Sequence, residues 1–226
     1  MVGVPYRELV GCLYYVANGT RPDIANAVRE VSRYVHRPGW QHWIACKRIL
    51  RYLRGTAGLA LTYHAGTSVG QLCAFADSDW SNDVDTSRSV GATVFMLGGA
   101  AVTWSSRRQR SVALSSGEAE YYACAEAGKQ SVFLRMLLQD LGFPADGPTV
   151  IFEDSSTCVS MVNGTAPHGR SRHVRRQYHF IRDLARDGLV ELKRIPSSEQ
   201  VADALTKALS GPLLRRHRDS LMGVRA

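Results

Sequence analysis

Two short apolar runs constrain this chain more than anything else in it. Leu72-Cys73-Ala74-Phe75-Ala76 leads straight into Asp77 and Asp79, and Thr149-Val150-Ile151-Phe152 leads into Glu153 and Asp154. Each has the length of a strand and is apolar at nearly every position, as a strand covered on both faces should be. Each also puts carboxylates where a buried strand reaches solvent. An ionised acid is costly to desolvate there unless it is paired or ligates a metal. Taken singly, either acid is explained as the opening of a turn; the repetition gives the pattern its weight.

Between the two runs the chain reads as sheet and then helix. Residues 89–97 and 101–105 are strand-length and are separated by Gly98-Gly99, a hairpin signal, so with the Asp77 strand they predict a three-stranded antiparallel meander. Ser115 to Leu141 is the longest helical pattern, with a serine cap, Glu118 and Glu120 in its first turn, and Gly142-Phe143-Pro144 at its end. Two residues apart on a helix, those acids point to nearly opposite sides. The line from Glu120 runs through Cys124, Ala127, Ser131 and Leu134, so Glu120 is expected to face the sheet and Glu118 to cap the helix or face solvent.

Further along, a short helix to Val162, a helix over 172–187, a strand over 189–195 and a helix over 198–209 are expected, with Asp203 one turn into the last. The opening third reads as three amphipathic helices. Their stripes are Leu9, Cys12, Leu13 and Val16; then Ile24, Ala27, Val28, Val31 and Val35; then Trp43, Cys46, Ile49, Leu50 and Leu53. Thr20 can cap the second, Pro38-Gly39 would end it, and Trp40 and Trp43 are expected in the core rather than stacking on bases.

Charge narrows the partners. The formal net charge of +8 and a pI near 9.5 favour a polyanion, nucleic acid before an anionic membrane surface. Residues 1–66 alone hold nine Lys or Arg against three acids. The five cysteines are scattered without a Cys-x-x-Cys, which fits reduced thiols in an intracellular compartment and argues against a zinc knuckle or a disulfide framework. No signal peptide and no membrane-spanning apolar run is evident.

The expected order β-β-β-α-β-α-α-β-α, carrying an Asp, Glu, Asp, Asp set, resembles the ribonuclease H fold. That is an α/β architecture with a mixed five-stranded sheet flanked by helices, here preceded by a small helical segment. More narrowly, LVGCLYYVANGTRPDIANAV, HWIACKRILRYLRGT, FADSDW, VALSSGEAEYYA, RSRHV, YHFIRD and QVADALTKAL look like the C-terminal part of the polyprotein of copia-type LTR retrotransposons. The resemblance implies residues 1–66 as the end of a reverse transcriptase, 67–212 as a ribonuclease H-like domain and 213–226 as a basic tail. It implies cleavage of the RNA strand of RNA/DNA hybrids, with the rest of the polyprotein as partner, in a cytoplasmic virus-like particle or the nucleus.

The resemblance also assigns roles. Asp77, Glu120, Asp154 and Asp203 would be the catalytic acids and would hold two Mg²⁺, or Mn²⁺, with Asp77 bridging both ions, Glu120 and Asp154 completing one and Asp203 the other. Crowding of these acids is expected to raise at least one of their pKa values when no metal is bound. Arg107, Arg108, Arg170, Arg172, Arg175 and Arg176 are the candidates for a phosphate track. The sequence departs from the family at Gly117 and Arg175, and it lacks the histidine that cellular ribonucleases H carry before the last helix; His168 or His173 would have to substitute. The chain has no Tyr-x-Asp-Asp polymerase motif. An integrase core would need its third acid on a helix after the second Asp. A non-catalytic hybrid-binding remnant and a plain structural domain are the remaining alternatives.

Overall fold

The computed structural model of the chain describes residues 3–65, 71–80, 87–164 and 179–224. A mixed five-stranded sheet forms its centre, in the order β3-β2-β1-β4-β5. The strands are β1 (Cys73–Asp79), β2 (Val90–Leu97), β3 (Ala100–Arg108), β4 (Thr149–Glu153) and β5 (Val190–Arg194). The first three make the expected meander, in which Asp77 lies opposite Ala92 and Ala92 opposite Ser106. Gly98 and Gly99 join β2 to β3 with φ of +62° and +87°, the pair of left-handed conformations that a two-residue hairpin requires. β4 then pairs in parallel with β1, and β5 in parallel with β4.

Three helices precede the sheet: α1 (Tyr6–Gly19), α2 (Ala25–Ser32) and α3 (Trp40–Gly55). They bury Tyr6, Val10, Leu13, Val28, Val31, Cys46 and Ile49 in a core of their own, where Trp43 also packs. Trp104 Nε1 donates to Ala17 O at 2.8 Å and Arg29 Nε to Ser106 Oγ at 3.1 Å, so this segment is bonded to β3. Some local expectations fail. α2 stops at Ser32, well before Pro38, and begins from a 3-10 turn (Pro22–Ile24) instead of a Thr20 cap. There Asp23 is held by Arg21 at 2.7 Å and by the Tyr52 hydroxyl at 2.7 Å, a tertiary arrangement that overrides the local cap. Trp40, expected in the core, is 61% exposed at the start of α3.

Helices cover both faces of the sheet. On one, α4 (Ser116–Asp140), α5 (Ser156–Val162) and α6 (Phe180–Arg186) share a core with Ala74, Ala76, Phe95, Ile151 and Leu192. On the other, Ala92, Val94 and Ala101 meet Val201, Ala202, Leu205 and Leu221, contributed by α7 (Asp203–Thr206), α8 (Gly211–Met222) and the turn before α7. Strand alternation feeds both cores, with Ala74 and Ala76 on the α4 side and Phe75 on the α7 side.

The late segments correct two expectations. In place of one helix over 198–209 there is a 3-10 turn (Ser197–Glu199) and then the single turn α7. Gln200 separates them: its buried side chain donates from Nε2 to Ala76 O at 2.8 Å and holds the chain extended there. Residues expected to trail as a basic tail instead supply most of α8, whose His217, Leu221 and Met222 are buried. Among the described residues, no helix is long and apolar enough to cross a membrane, and all five cysteines are unbridged.

Candidate active site

The pairing of β1 with β4 ends at Phe75 and Phe152. In open α/β sheets the crevice beyond the carboxyl ends of parallel strands is where functional groups gather. Asp77 lies two residues further along β1, and Glu153 and Asp154 follow Phe152.

α4 enters this crevice by its N-terminus. Ser115 caps it, with Oγ accepting from Glu118 N at 3.2 Å. Glu118 turns back over the cap: Oε2 accepts from Leu114 N at 2.8 Å, and Oε1 accepts from the Tyr122 hydroxyl. Glu120 faces the other way. It offers an oxygen that lies, with one from Asp77 and one from Asp154, in a group spanning no more than 4.8 Å, and its Oε2 is buried without a hydrogen-bond partner among the described residues.

Asp203 arrives from the opposite face of the sheet as the first residue of α7. One turn later, Lys207 Nζ sits 2.7 Å from Asp203 Oδ1 and 4.0 Å from Asp77 Oδ1. The Thr206 hydroxyl donates to Asp77 Oδ2. Four acids from β1, α4, the end of β4 and α7 thus surround one crevice.

Burial dominates the electrostatics. It lifts the Asp77 carboxyl to about 7, assisted by the charge of Asp203 and opposed by Lys207 and Thr206. It lifts Glu120 to about 12, with the charges of Glu153 and then Asp77 adding to it. Asp203 is raised by burial against the pull of Lys207. Repulsion between the acids, the cause anticipated from sequence, therefore comes second. A dense set of carboxylate oxygens, one of them orphaned, is the chemistry of a hard divalent cation site.

Three residues at or beside the crevice were given no role by sequence reasoning. Glu153 is fully buried, and the inward parity of Thr149, Ile151 and Glu153 along β4 was the signal for it. Thr206 and Lys207 follow Asp203 by three and four residues, the spacing at which helical side chains meet.

No family model matches the sequence. The retrovirus-related Pol polyprotein from transposon TNT 1-94 of Nicotiana tabacum is 40% identical over 209 residues, which is 92% of this chain and 16% of that polyprotein. The corresponding polyprotein from transposon RE2 of Arabidopsis thaliana is 37% identical over 205 residues, 91% of this chain and 14% of that one. Homologues of this chain are thus retrovirus-related Pol polyproteins of transposons. The chain spans 16% and 14% of the length of these two Pol relatives. Among solved structures, LC11-RNase H1, isolated from compost, is similar over 61% of this chain and 94% of that chain, at 16% identity and a TM-score of 0.48.

The basic residues of this chain are only partly described. Arg107 and Arg108 are exposed at the end of β3, where with Arg110 and Lys129 they help line a polar groove of about 410 Å³ between the β2–β3 hairpin and α4. Arg170, Arg172, Arg175 and Arg176, like His168 and His173, lie outside the described residues. Gly117, a departure from the family pattern, backs onto Thr157, whose Cγ2 would stand 2.8 Å from an added Cβ.

Proposed function

We propose that this chain is a metal-dependent endoribonuclease that hydrolyses the RNA strand of RNA/DNA hybrids, with Asp77, Glu120, Asp154 and Asp203 as its metal-holding carboxylates. The observation that carries the reading is the meeting of Asp77, Glu120 and Asp154 oxygens within 4.8 Å, with Asp203 linked to Asp77 through Lys207. In this reading Asp77, Glu120, Asp154 and Asp203 would hold the divalent ions between them; Mg²⁺ fits the all-oxygen donor set, and Mn²⁺ would substitute. Bound there, the ions would supply the Lewis acidity that activates water and steadies the leaving 3′ oxygen.

The chain's own groups do the rest. Thr206 orients the Asp77 carboxylate by donating to one oxygen and leaves the other facing the crevice. Gln200 fixes the segment leading into α7 to the backbone of β1, so Asp203 is presented at a set distance from Asp77. Lys207 offsets the charge of Asp203 and Asp77. Asp77 and Glu120 hold their protons up to about 7 and about 12, so loading the site releases protons and tightens as pH rises. Arg107 and Arg108 would meet phosphates, and recognition through the 2′-OH and helix shape makes cutting nearly independent of sequence.

The homology to Pol polyproteins supports this reading and makes the remaining polyprotein the natural partner, with residues 1–66 as a reverse transcriptase end and residues from 67 onward as the nuclease domain. The test is incubation of the protein with strand-labelled RNA/DNA hybrid and Mg²⁺, beside Asp77→Asn. Cutting of the RNA strand alone, abolished by chelation and by the substitution, is expected. Hybrid binding without metal-dependent cutting would instead favour a non-catalytic remnant of a transposon polyprotein.

A further inference from the structure

A second set of donors lies one helical turn beyond Glu120, and the nuclease reading leaves it unused. Cys124 on α4, Glu153 at the end of β4 and Cys158 on α5 each offer an atom in a group spanning no more than 4.8 Å. All three residues are wholly buried. Cys124 Sγ stands 3.1 Å from Glu153 Oε2 and 3.5 Å from Cys158 Sγ, while Glu153 Oε1 accepts from Ser155 N at 3.0 Å. Lys207, the cation of the neighbouring crevice, is engaged by Asp203 and Asp77.

The spacing decides what two such sulfurs suit. A tetrahedral ion with Zn–S bonds of about 2.3 Å sets its sulfurs roughly 3.8 Å apart. The observed 3.5 Å is within a few tenths of an ångström of that value. A disulfide would require approach to about 2.05 Å, a far larger movement between two packed helices. The Glu153 carboxylate beside the sulfurs supplies a third donor.

We propose that Cys124, Glu153 and Cys158 form a buried site for a thiophilic divalent cation of the Zn²⁺ class, separate from the all-oxygen crevice. Thiolate donors select such ions over Mg²⁺, so the two centres differ in the metals they take. Each thiol gives its proton to solvent as the ion enters, so at least two protons leave per ion bound.

The reduced full-length chain, in excess Mg²⁺, is titrated with Co²⁺ and followed by absorption. A thiolate-to-metal charge-transfer band saturating at one Co²⁺ per chain is expected, since oxygen ligands produce none. The band should persist in Cys12→Ser and Asp77→Asn, vanish in Cys124→Ser and Cys158→Ser, and be displaced by Zn²⁺. Glu153→Gln, which keeps the side chain's shape, should weaken Co²⁺ binding at least tenfold. Circular dichroism establishes that each variant is folded. Absence of the band from the wild-type chain overturns the proposal whatever the variants do; so does a band that survives both cysteine substitutions or disappears in Asp77→Asn. None of these readouts depends on cleavage, so failure here leaves the nuclease reading standing.

Discussion

Lys207 places its ammonium 2.7 Å from Asp203 Oδ1, one helical turn away, and 4.0 Å from Asp77 Oδ1. A single cation thus spans the two acids proposed to share an ion. Lys207→Met leaves both carboxylates without a counter-charge in the metal-free chain and should cost about 1–2 kcal/mol, less than a fully buried pair because the lysine is partly exposed. Saturating Mg²⁺ should narrow the difference, because the ions then supply the missing charge. Thermal melts of both chains with and without Mg²⁺ measure this.

Asp77 predicts a pH dependence of definite sign. Its carboxyl keeps a proton up to about 7 in the folded chain, against an ordinary value of 3.8. Between those values the folded state binds the extra proton, so the contribution of Asp77 to stability is fully present below about 4 and lost as pH rises through 7. Asp77→Asn should flatten the metal-free stability profile in that window by up to about 1.4 kcal/mol per pH unit. Denaturant midpoints from pH 4.5 to 7.5 will show it, and added Mg²⁺ should reverse the trend in the wild-type chain.

Glu118 and Glu120 sit two residues apart with opposite tasks. Glu118 accepts from Leu114 N and from the Tyr122 hydroxyl, so Glu118→Gln should cost about 1–2 kcal/mol of stability and spare Mg²⁺-dependent cutting. Glu120→Gln replaces a buried acid that holds its proton to about 12, so it should cost little stability and reduce cutting at least a hundredfold. Paired melts and cleavage rates separate the two roles.

The docking of α8 rests on Gly223. Its φ is +71°, and an added Cβ would stand 2.1 Å from Thr62 O, beside the hydrogen bond in which Thr62 N donates to Met222 O at 2.9 Å. Gly142 has a similar φ of +84° but open space around it. Gly142→Ala should therefore cost about 1 kcal/mol from backbone strain alone, and Gly223→Ala about 3 kcal/mol or more because the backbone must also move. Chemical denaturation of the two variants compares them directly.

The sheet was legible in the sequence because its signals are local. The Leu72–Asp77 run, the Gly98-Gly99 turn and the line from Glu120 to Cys124 each rest on period and turn chemistry within a few residues. Features set by distant contacts were not legible. Residues 198–209 look helical, but the bond from Gln200 to Ala76 O spans more than a hundred residues and breaks the helix. The basic composition of 213–226 hid the stripe of Leu214, His217 and Leu221 that docks α8. Cys124 and Cys158 are 34 residues apart, so no motif spacing could pair them. Glu153 was within reach of strand parity, yet its more exposed neighbour Asp154 drew the assignment.

Anomalous diffraction from crystals grown with Mn²⁺ tests the carboxylate centre most directly. Two peaks about 3.5–4 Å apart are expected, both within bonding distance of Asp77, one shared with Glu120 and Asp154 and the other with Asp203. Manganese found elsewhere, with the Asp77 crevice empty at saturating concentration, would contradict the assignment of these four acids.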